Sequence, residues 1–309
     1  MMKKFLIKEV DLVRKSTKNG NIDINIALAI DENYITPSGV LLFSILKNNK
    51  DLNIHFHIFT TCCELDKFIN FKKFQSNITI YLLNEDYFSS LQTPGHFTSA
   101  IYYRIAIPSI LQNKVKNVLY IDADVLCIGS LENFKKIDIS NYYIAAVEDL
   151  GMIREDIVAL GISGKYFNSG VMFMNIEKWV SENIFEKFMV LVNDRIFEYP
   201  DQDALNILFN NKVLYISNCF NHFKELNSDQ AKLIHYVGWL KPWEMAAENN
   251  EEYLKYYRNS QFSDIPLQKP NTYKSAKILA KKYRKNKRYR DYIKWYFLYI
   301  VMKAKYYFK

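Results

Sequence analysis

Apolar residues come in short blocks separated by polar stretches over the first two thirds of the chain. Ile24-Asn25-Ile26-Ala27-Leu28-Ala29-Ile30 is a nearly continuous apolar run ending at Asp31, the pattern of a strand covered on both faces. A helix is predicted from near Pro37, covering Val40 to Lys47. His55–Thr60 and Ile78–Leu83 read as the next strands, with a helix over Glu64–Phe74 between them. Tyr102–Leu111 reads as a helix, and Asn117–Ile121 as a strand running into Asp122-Ala123-Asp124. Strands follow at Tyr143–Val147 and Gly170–Asn175, then a helix from near Asp201 with Ala204, Leu205, Ile207 and Leu208 on one face. Such alternation predicts an α/β sheet with parallel members, and ligands bind such sheets at the carboxyl ends of the strands. No GxGxxG fingerprint occurs, so a dinucleotide is not supported.

The two ends differ from this middle. Residues 1–23 are polar, carry the Asn19-Gly20 turn signal and read as an N-terminal extension. They show no continuous apolar core and no cleavage site of a signal peptide. From Pro270 onward the chain has no further Pro and no Gly, and Tyr273–Lys309 reads as one or two helices. The apolar run Trp295–Met302 is too short to span a bilayer.

Charge changes this picture. The chain of 309 residues has a net charge of +8, yet residues 269–309 hold 14 Lys and Arg against the single acid Asp291. The tail alone is therefore +13, and residues 1–268 are net −5, which removes the whole-chain case for a nucleic-acid binder. Aromatic residues make up 16% of the chain and crowd this tail at Trp295, Tyr296, Phe297, Tyr299, Tyr306, Tyr307 and Phe308. A basic, aromatic, amphipathic helix suits an anionic membrane surface; packing on the main domain with a solvated basic face is a second reading, and a nucleic-acid arm is a third that no RNA- or DNA-binding motif accompanies. Cys62, Cys63, Cys127 and Cys219 make no CxxC pair and no zinc spacing, in keeping with reduced thiols in the cytoplasm.

Three constellations carry chemistry. Asp122 and Asp124 stand two apart at a strand end, so both carboxylates face one side, where they can hold Mg²⁺ or Mn²⁺. The same Asp-x-Asp-x-Leu string also fits the nucleophile loop of a haloacid-dehalogenase-like phosphohydrolase with Asp122 as nucleophile. Against that, the motif comes after about a hundred residues and several strands, and no later acidic loop accompanies it. Asp201-Gln202-Asp203 opens a helix, where acids cap well; such side chains also bind sugar hydroxyls, and an amide can face a cationic anomeric carbon. In His235–Trp243, Gly238 permits close backbone approach and Lys241 can neutralise a diphosphate. An imidazole beside two carboxylates shifts metal preference from Mg²⁺ towards Mn²⁺.

In this order the segments resemble glycosyltransferase family 8, the lipopolysaccharide core hexosyltransferase type. The likeness runs from Ile24 to Trp243 and rests on Ala29–Tyr34, Tyr103-Arg104, Leu119–Leu126, Phe167–Gly170, Asp201–Asp203 and His235–Trp243. The resemblance implies a GT-A fold: a Rossmann-like mixed sheet in a single catalytic domain over 24–243, with a helical extension over 244–309 that is basic and aromatic from about residue 269. It also implies retention of anomeric configuration and transfer of glucose or galactose from a UDP-sugar to the lipopolysaccharide core with an α-linkage.

Carried over by position, Asp122, Asp124 and His235 bind Mn²⁺ with Ala123 between them at the cofactor, and Mg²⁺ is the second choice. Ala29, Asp31, Asn33 and Tyr34 hold uridine, and Arg104, Asp149, Asn168, Asp201 and Gln202 contact the donor sugar. Gly238 and Lys241 hold the diphosphate, and Gln202, Asp201 and Lys241 are the catalytic candidates. Trp239-Leu240 is bulkier than in some relatives. The expected setting is the cytoplasmic side of the inner membrane, with no nucleic-acid partner. A non-catalytic, membrane-attached sugar-binding protein is the remaining alternative.

Overall fold

The computed structural model describes residues 5–15, 21–89, 91–94, 98–223, 230–248 and 250–307. Expectations for residues 1–4, for the Asn19-Gly20 turn and for Phe308 lie outside them. The chain divides into two compact units, Met1–His235 and Tyr236–Lys309.

The first unit contains eleven strands among the described residues: β1 Leu6–Val13, β2 Ile24–Ile30, β3 Ile54–Thr60, β4 Asn77–Leu83, β5 Asn117–Ile121, β6 Val125–Cys127, β7 Ile144–Glu148, β8 Phe167–Asn175, β9 Val213–Tyr215, β10 His222–Phe223 and β11 Leu233–His235. Eight form one sheet in the order β1-β4-β3-β2-β5-β8-β7-β9, and β10-β11-β6 form a small second sheet. The β4-β3-β2-β5 stretch is parallel, while β8 runs antiparallel to both β5 and β7. Between β2 and β5 the strand order reverses direction. At such a switch point the loops leave to opposite faces and open a ligand crevice. Asp31 follows β2 and Asp122 follows β5, so the two acids found by sequence stand at neighbouring strand ends.

The central strands are buried nearly throughout, as their apolar runs require, and β8 is buried at all nine positions. A large core of aromatic and branched side chains, among them Tyr103, Trp179, Phe188, Leu205 and Phe209, packs around them. Residues 6–13, read from sequence as polar extension, instead form the edge strand β1, paired antiparallel with β4. Its Lys8, Glu9 and Asp11 are exposed, and its register shifts twice. Charges and bulges are the devices that keep a sheet edge from pairing further, and they also mask a strand's apolar period. The helix expected over Glu64–Phe74 is a 3-10 helix, Leu65–Lys73, burying Phe68 and Phe71 at the three-residue spacing that 3-10 geometry aligns.

In the second unit, an isolated bridge joins Glu244 to Gln268, and a helix spans Glu251–Asn259. Two further helices, Tyr273–Lys285 and Tyr289–Tyr307, account for the long Gly- and Pro-free tail. Thr272 caps the first through a reciprocal box with Ser275. They pack through Ala276, Leu279, Ala280, Trp295 and Tyr299, with Ala246 in the same cluster. No helix among the described residues is long and apolar enough to cross a membrane.

Candidate metal and donor-sugar site

Strand register assembles the metal group. β6 follows Asp124 directly and pairs antiparallel with β11, placing His235 opposite Val125. His235 Nε2 thereby lies 3.2 Å from Asp124 Oδ1. Asp122, Asp124 and His235 each offer a ligand atom, and these atoms lie within 4.8 Å of one another. Two carboxylates and an imidazole form a donor set suited to a divalent ion. The approach depends on Gly170 in β8. A Cβ there would stand 2.8 Å from His235 Nδ1 and 3.0 Å from Asp122 Oδ2, so only glycine leaves room for both ligands. The residues present therefore fit a metal.

Arg104 sets one side of the group. Its side chain is nearly buried, with Nη2 2.9 Å from Asp122 Oδ1 and Nη1 3.0 Å from Asp201 Oδ2. The guanidinium lies 4.7 Å over the Tyr120 ring, and the Tyr120 hydroxyl donates to Asp122 Oδ1. With Oδ1 occupied in this way, Oδ2 is left on the side of Gly170 and His235. Burial pushes the Asp122 carboxyl up, against the pull of Arg104, and the negative charge of Asp124 adds to the rise. Burial opposes the charge of Arg104, but Asp122 and Asp201 outweigh it and raise its pKa. Arg104 Nε is buried and has no hydrogen-bond partner among the described residues.

On the other side, Gln202 Oε1 accepts the Ser169 N–H at 2.9 Å, while Gln202 Nε2 donates to Asp149 Oδ2 at 3.3 Å. Asn168 Nδ2 donates to the same Asp149 oxygen at 3.2 Å. Ser169 Oγ donates to Asp201 Oδ2 at 2.9 Å. Asp149, Asn168, Asp201, Gln202, Arg104, Asp122, Asp124 and His235 thus stand in one connected region, with Ala123 buried within it. Sequence reasoning gave no role to Ser169, Tyr120 or Asn221. Ser169 and Asn221 contribute through contacts between segments far apart in the chain, which no local spacing signals, whereas Tyr120 reaches Asp122 only two residues along.

At the end of β2, Asp31 caps the turn Glu32–Tyr34: its Oδ1 accepts the Asn33 N–H at 2.9 Å and its Oδ2 accepts from Thr98 at 3.1 Å. Ala29 is half-buried, Asn33 exposed and Tyr34 half-exposed at the start of the helix Ile35–Asn48. In the second unit, Gly238 adopts a left-handed φ of 99°, and Lys241 Nζ donates to the Tyr236 carbonyl at 3.1 Å.

Residues 25–247 match the family model for glycosyl transferase family 8. The chain belongs to glycosyl transferase family 8. It is 32% identical to a lipopolysaccharide 1,2-glucosyltransferase of Escherichia coli, over 79% of this chain and 81% of that one. It is 29% identical to the lipopolysaccharide 1,3-galactosyltransferase of Salmonella typhimurium, over 90% and 91%. Among solved structures it is similar to the galactosyltransferase LgtC crystallised with donor and acceptor sugar analogs, with a TM-score of 0.69 and 24% identity over 77% of this chain and 96% of that one.

The GT-A fold expected from the resemblance is the fold observed, and this family 8 protein is a glycosyltransferase enzyme. The phosphohydrolase alternative falls: Asp122 follows the fifth strand rather than the first, and one of its oxygens is held by both Arg104 and Tyr120.

Proposed function

We propose that this family 8 enzyme moves glucose or galactose from a UDP-sugar onto the lipopolysaccharide core, with retention, using Mn²⁺ at Asp122, Asp124 and His235. The observation that carries the reading is the metal-type cluster beside the Asp149–Gln202–Asp201 region at the sheet's switch point. The named activities of its relatives supply the acceptor class. An imidazole beside two carboxylates favours Mn²⁺ over Mg²⁺.

Bound there, the ion supplies Lewis-acid charge to the leaving diphosphate. Lys241 adds a cation to the same group, and Gly238 lets the backbone approach it. Ala29, Asp31, Asn33 and Tyr34 hold the uridine, with the Tyr34 ring on uracil. Asp149, Asn168 and Arg104 bind the sugar hydroxyls. Gln202 then faces the anomeric carbon as charge develops on it. An amide is a poor nucleophile, and the Asp201 carboxylate is tied to Arg104 and Ser169. Same-face attack by the acceptor hydroxyl follows, with the leaving phosphate oxygen taking its proton.

The acceptor is lipid-linked, and the tail suits its surface, on the cytoplasmic side of the inner membrane. Tyr289, Ile293, Tyr296, Phe297 and Ile300 are exposed along one side of the helix Tyr289–Tyr307, among basic residues. Each basic residue near an anionic leaflet contributes about 1 kcal/mol.

The test is UDP release from UDP-glucose and UDP-galactose with truncated core acceptors, with Mn²⁺ and then with EDTA. Metal-dependent release with an α-linked product supports the reading; phosphate release from a simple phosphomonoester, or donor binding without turnover, overturns it. A covalent glycosyl adduct on Gln202 or Asp201, seen by mass spectrometry, overturns the same-face step. Replacing Ile293, Phe297 and Ile300 by serine is expected to abolish binding to anionic vesicles yet spare hydrolysis of the free nucleotide sugar; unchanged vesicle binding rejects the membrane role.

A further inference from the structure

Asn221 lies just before β10 and is nearly buried, with no role in any reading above. Its Oδ1 stands 2.9 Å from His235 Nδ1, and its Nδ2 stands 2.8 Å from Asn168 Oδ1. The direction of these bonds can be fixed from one group that has no choice. The Gly170 backbone N–H can only donate, and it points at Asn168 Oδ1 at 3.0 Å. Asn168 therefore presents its oxygen on this side, while its Nδ2 faces the Asp149 carboxylate. The Asn221 atom facing Asn168 Oδ1 must then be the amide nitrogen, which turns the Asn221 oxygen towards His235. An oxygen there requires a proton on Nδ1, so in the neutral ring the lone pair sits on Nε2, the atom 3.2 Å from Asp124.

We infer that Asn221 is a positioning residue that fixes the tautomer and ring angle of His235 for the metal and ties that ligand, through Asn168, to Asp149. This rests on the metal-dependent reading of the site. A metal-bound histidine whose other nitrogen is held by an acceptor gains both basicity and a fixed orientation, and loss of such a partner costs 10–100-fold in affinity. The onward link is what distinguishes Asn221 from a simple carbonyl partner. The amide accepts from the histidine and donates to the sugar-side network, so one side chain sets both.

The experiment measures Mn²⁺ binding to the full chain by electron paramagnetic resonance, without substrate, beside melting temperature and ¹⁵N–¹H spectra of the histidines. The wild type is expected to show His235 protonated on Nδ1. Asn221→Leu removes both bonds and should weaken Mn²⁺ about 10–100-fold. Asn221→Asp keeps an acceptor for Nδ1–H and should restore Mn²⁺ affinity to near wild type. It cannot donate to Asn168, so KM for the nucleotide sugar should stay raised. A wild-type His235 carrying its proton on Nε2, or Mn²⁺ affinity unchanged in Asn221→Leu, overturns the inference and leaves the metal site intact. Equal loss of affinity in both variants in step with melting temperature overturns it in favour of a purely structural role. A wild type that binds no Mn²⁺ overturns the metal reading and this inference together.

Discussion

Two hydrogen-bonded histidine systems can be compared among the described residues of the first unit, and they end differently. On the β1–β4 side of the sheet, His57 is almost fully buried between two neighbouring strands, with Nδ1 at Tyr81 and Nε2 at Asn25, each at 3.1 Å. Beside it, His55 Nε2 meets Thr79 Oγ1 at 2.8 Å, and Thr79 donates to Asp11. Both nitrogens of His57 are consumed inside the sheet. His235 has one nitrogen held by Asn221 and turns the other towards two acids. A buried histidine with both nitrogens partnered by the sheet is a structural element; one with a single nitrogen anchored is a ligand in waiting. The comparison predicts that damage on the His235 side costs metal binding and turnover more than stability, and damage on the His57 side does the reverse.

The largest expected effect is from Gly170→Ala. The added methyl meets His235 and Asp122 together, so Mn²⁺ affinity and transfer rate should both fall by more than about a hundredfold. Titration of the metal in the purified variant checks this, and an unchanged affinity would break the assignment of Gly170 as the gap that admits both ligands. Gln202→Ala comes next. It should lower kcat by about a hundredfold while leaving residual transfer, and, because it strands the buried Ser169 N–H, it should also cost about 1–3 kcal/mol of stability. A complete loss of activity would point to covalent catalysis instead.

His57→Leu should act oppositely. It strands the Asn25 amide oxygen and the Tyr81 hydroxyl inside the sheet, at a cost of about 1–3 kcal/mol each. Denaturant unfolding should show that loss, while kcat per folded molecule stays as in wild type. A fall in kcat with stability preserved would erase the distinction between the two systems.

The same contrast explains what the sequence disclosed. Asp122 and Asp124 were legible as a pair of acids at the end of an apolar strand, although the turn between β5 and β6, closed by the Val125 N–H on the Asp122 carbonyl, carries them rather than strand period; the central strands were legible because their apolar runs are nearly unbroken. His235 could be proposed as the third ligand only through family resemblance, since its neighbour in space is set by the β6–β11 register, 111 residues along from Asp124. Asn221 had no signal at all: a single asparagine becomes a partner of His235 only when β10 and β11 pair in parallel. Edge strand β1 was hidden for a different reason. Its exposed Lys8, Glu9 and Asp11 make a protected edge look like a polar leader.

The smallest expected effect concerns pH. Burial depresses the pKa of His57 well below 6.5, and the charges of His55 and Lys114 depress it further. Burial likewise lowers His55, against the pull of Asp11 and Glu9. For a depressed histidine the unfolded chain binds the proton first. The native state is therefore favoured fully above the unfolded pKa, and stability is lost as pH falls below 6.5 towards the folded value. The slope is at most about 1.4 kcal/mol per pH unit for each histidine. Asp122 and Asp203, whose carboxyls are pushed up by burial, act with the opposite sign, so the wild-type curve alone does not isolate the effect. His57→Gln does, because the amide can serve Asn25 and Tyr81 without titrating. Its stability deficit relative to wild type should shrink as pH is lowered from neutral through the window below 6.5. A constant deficit would mean that His57 takes up a proton inside the folded sheet, and the closed system would then be no more closed than the one that holds the metal.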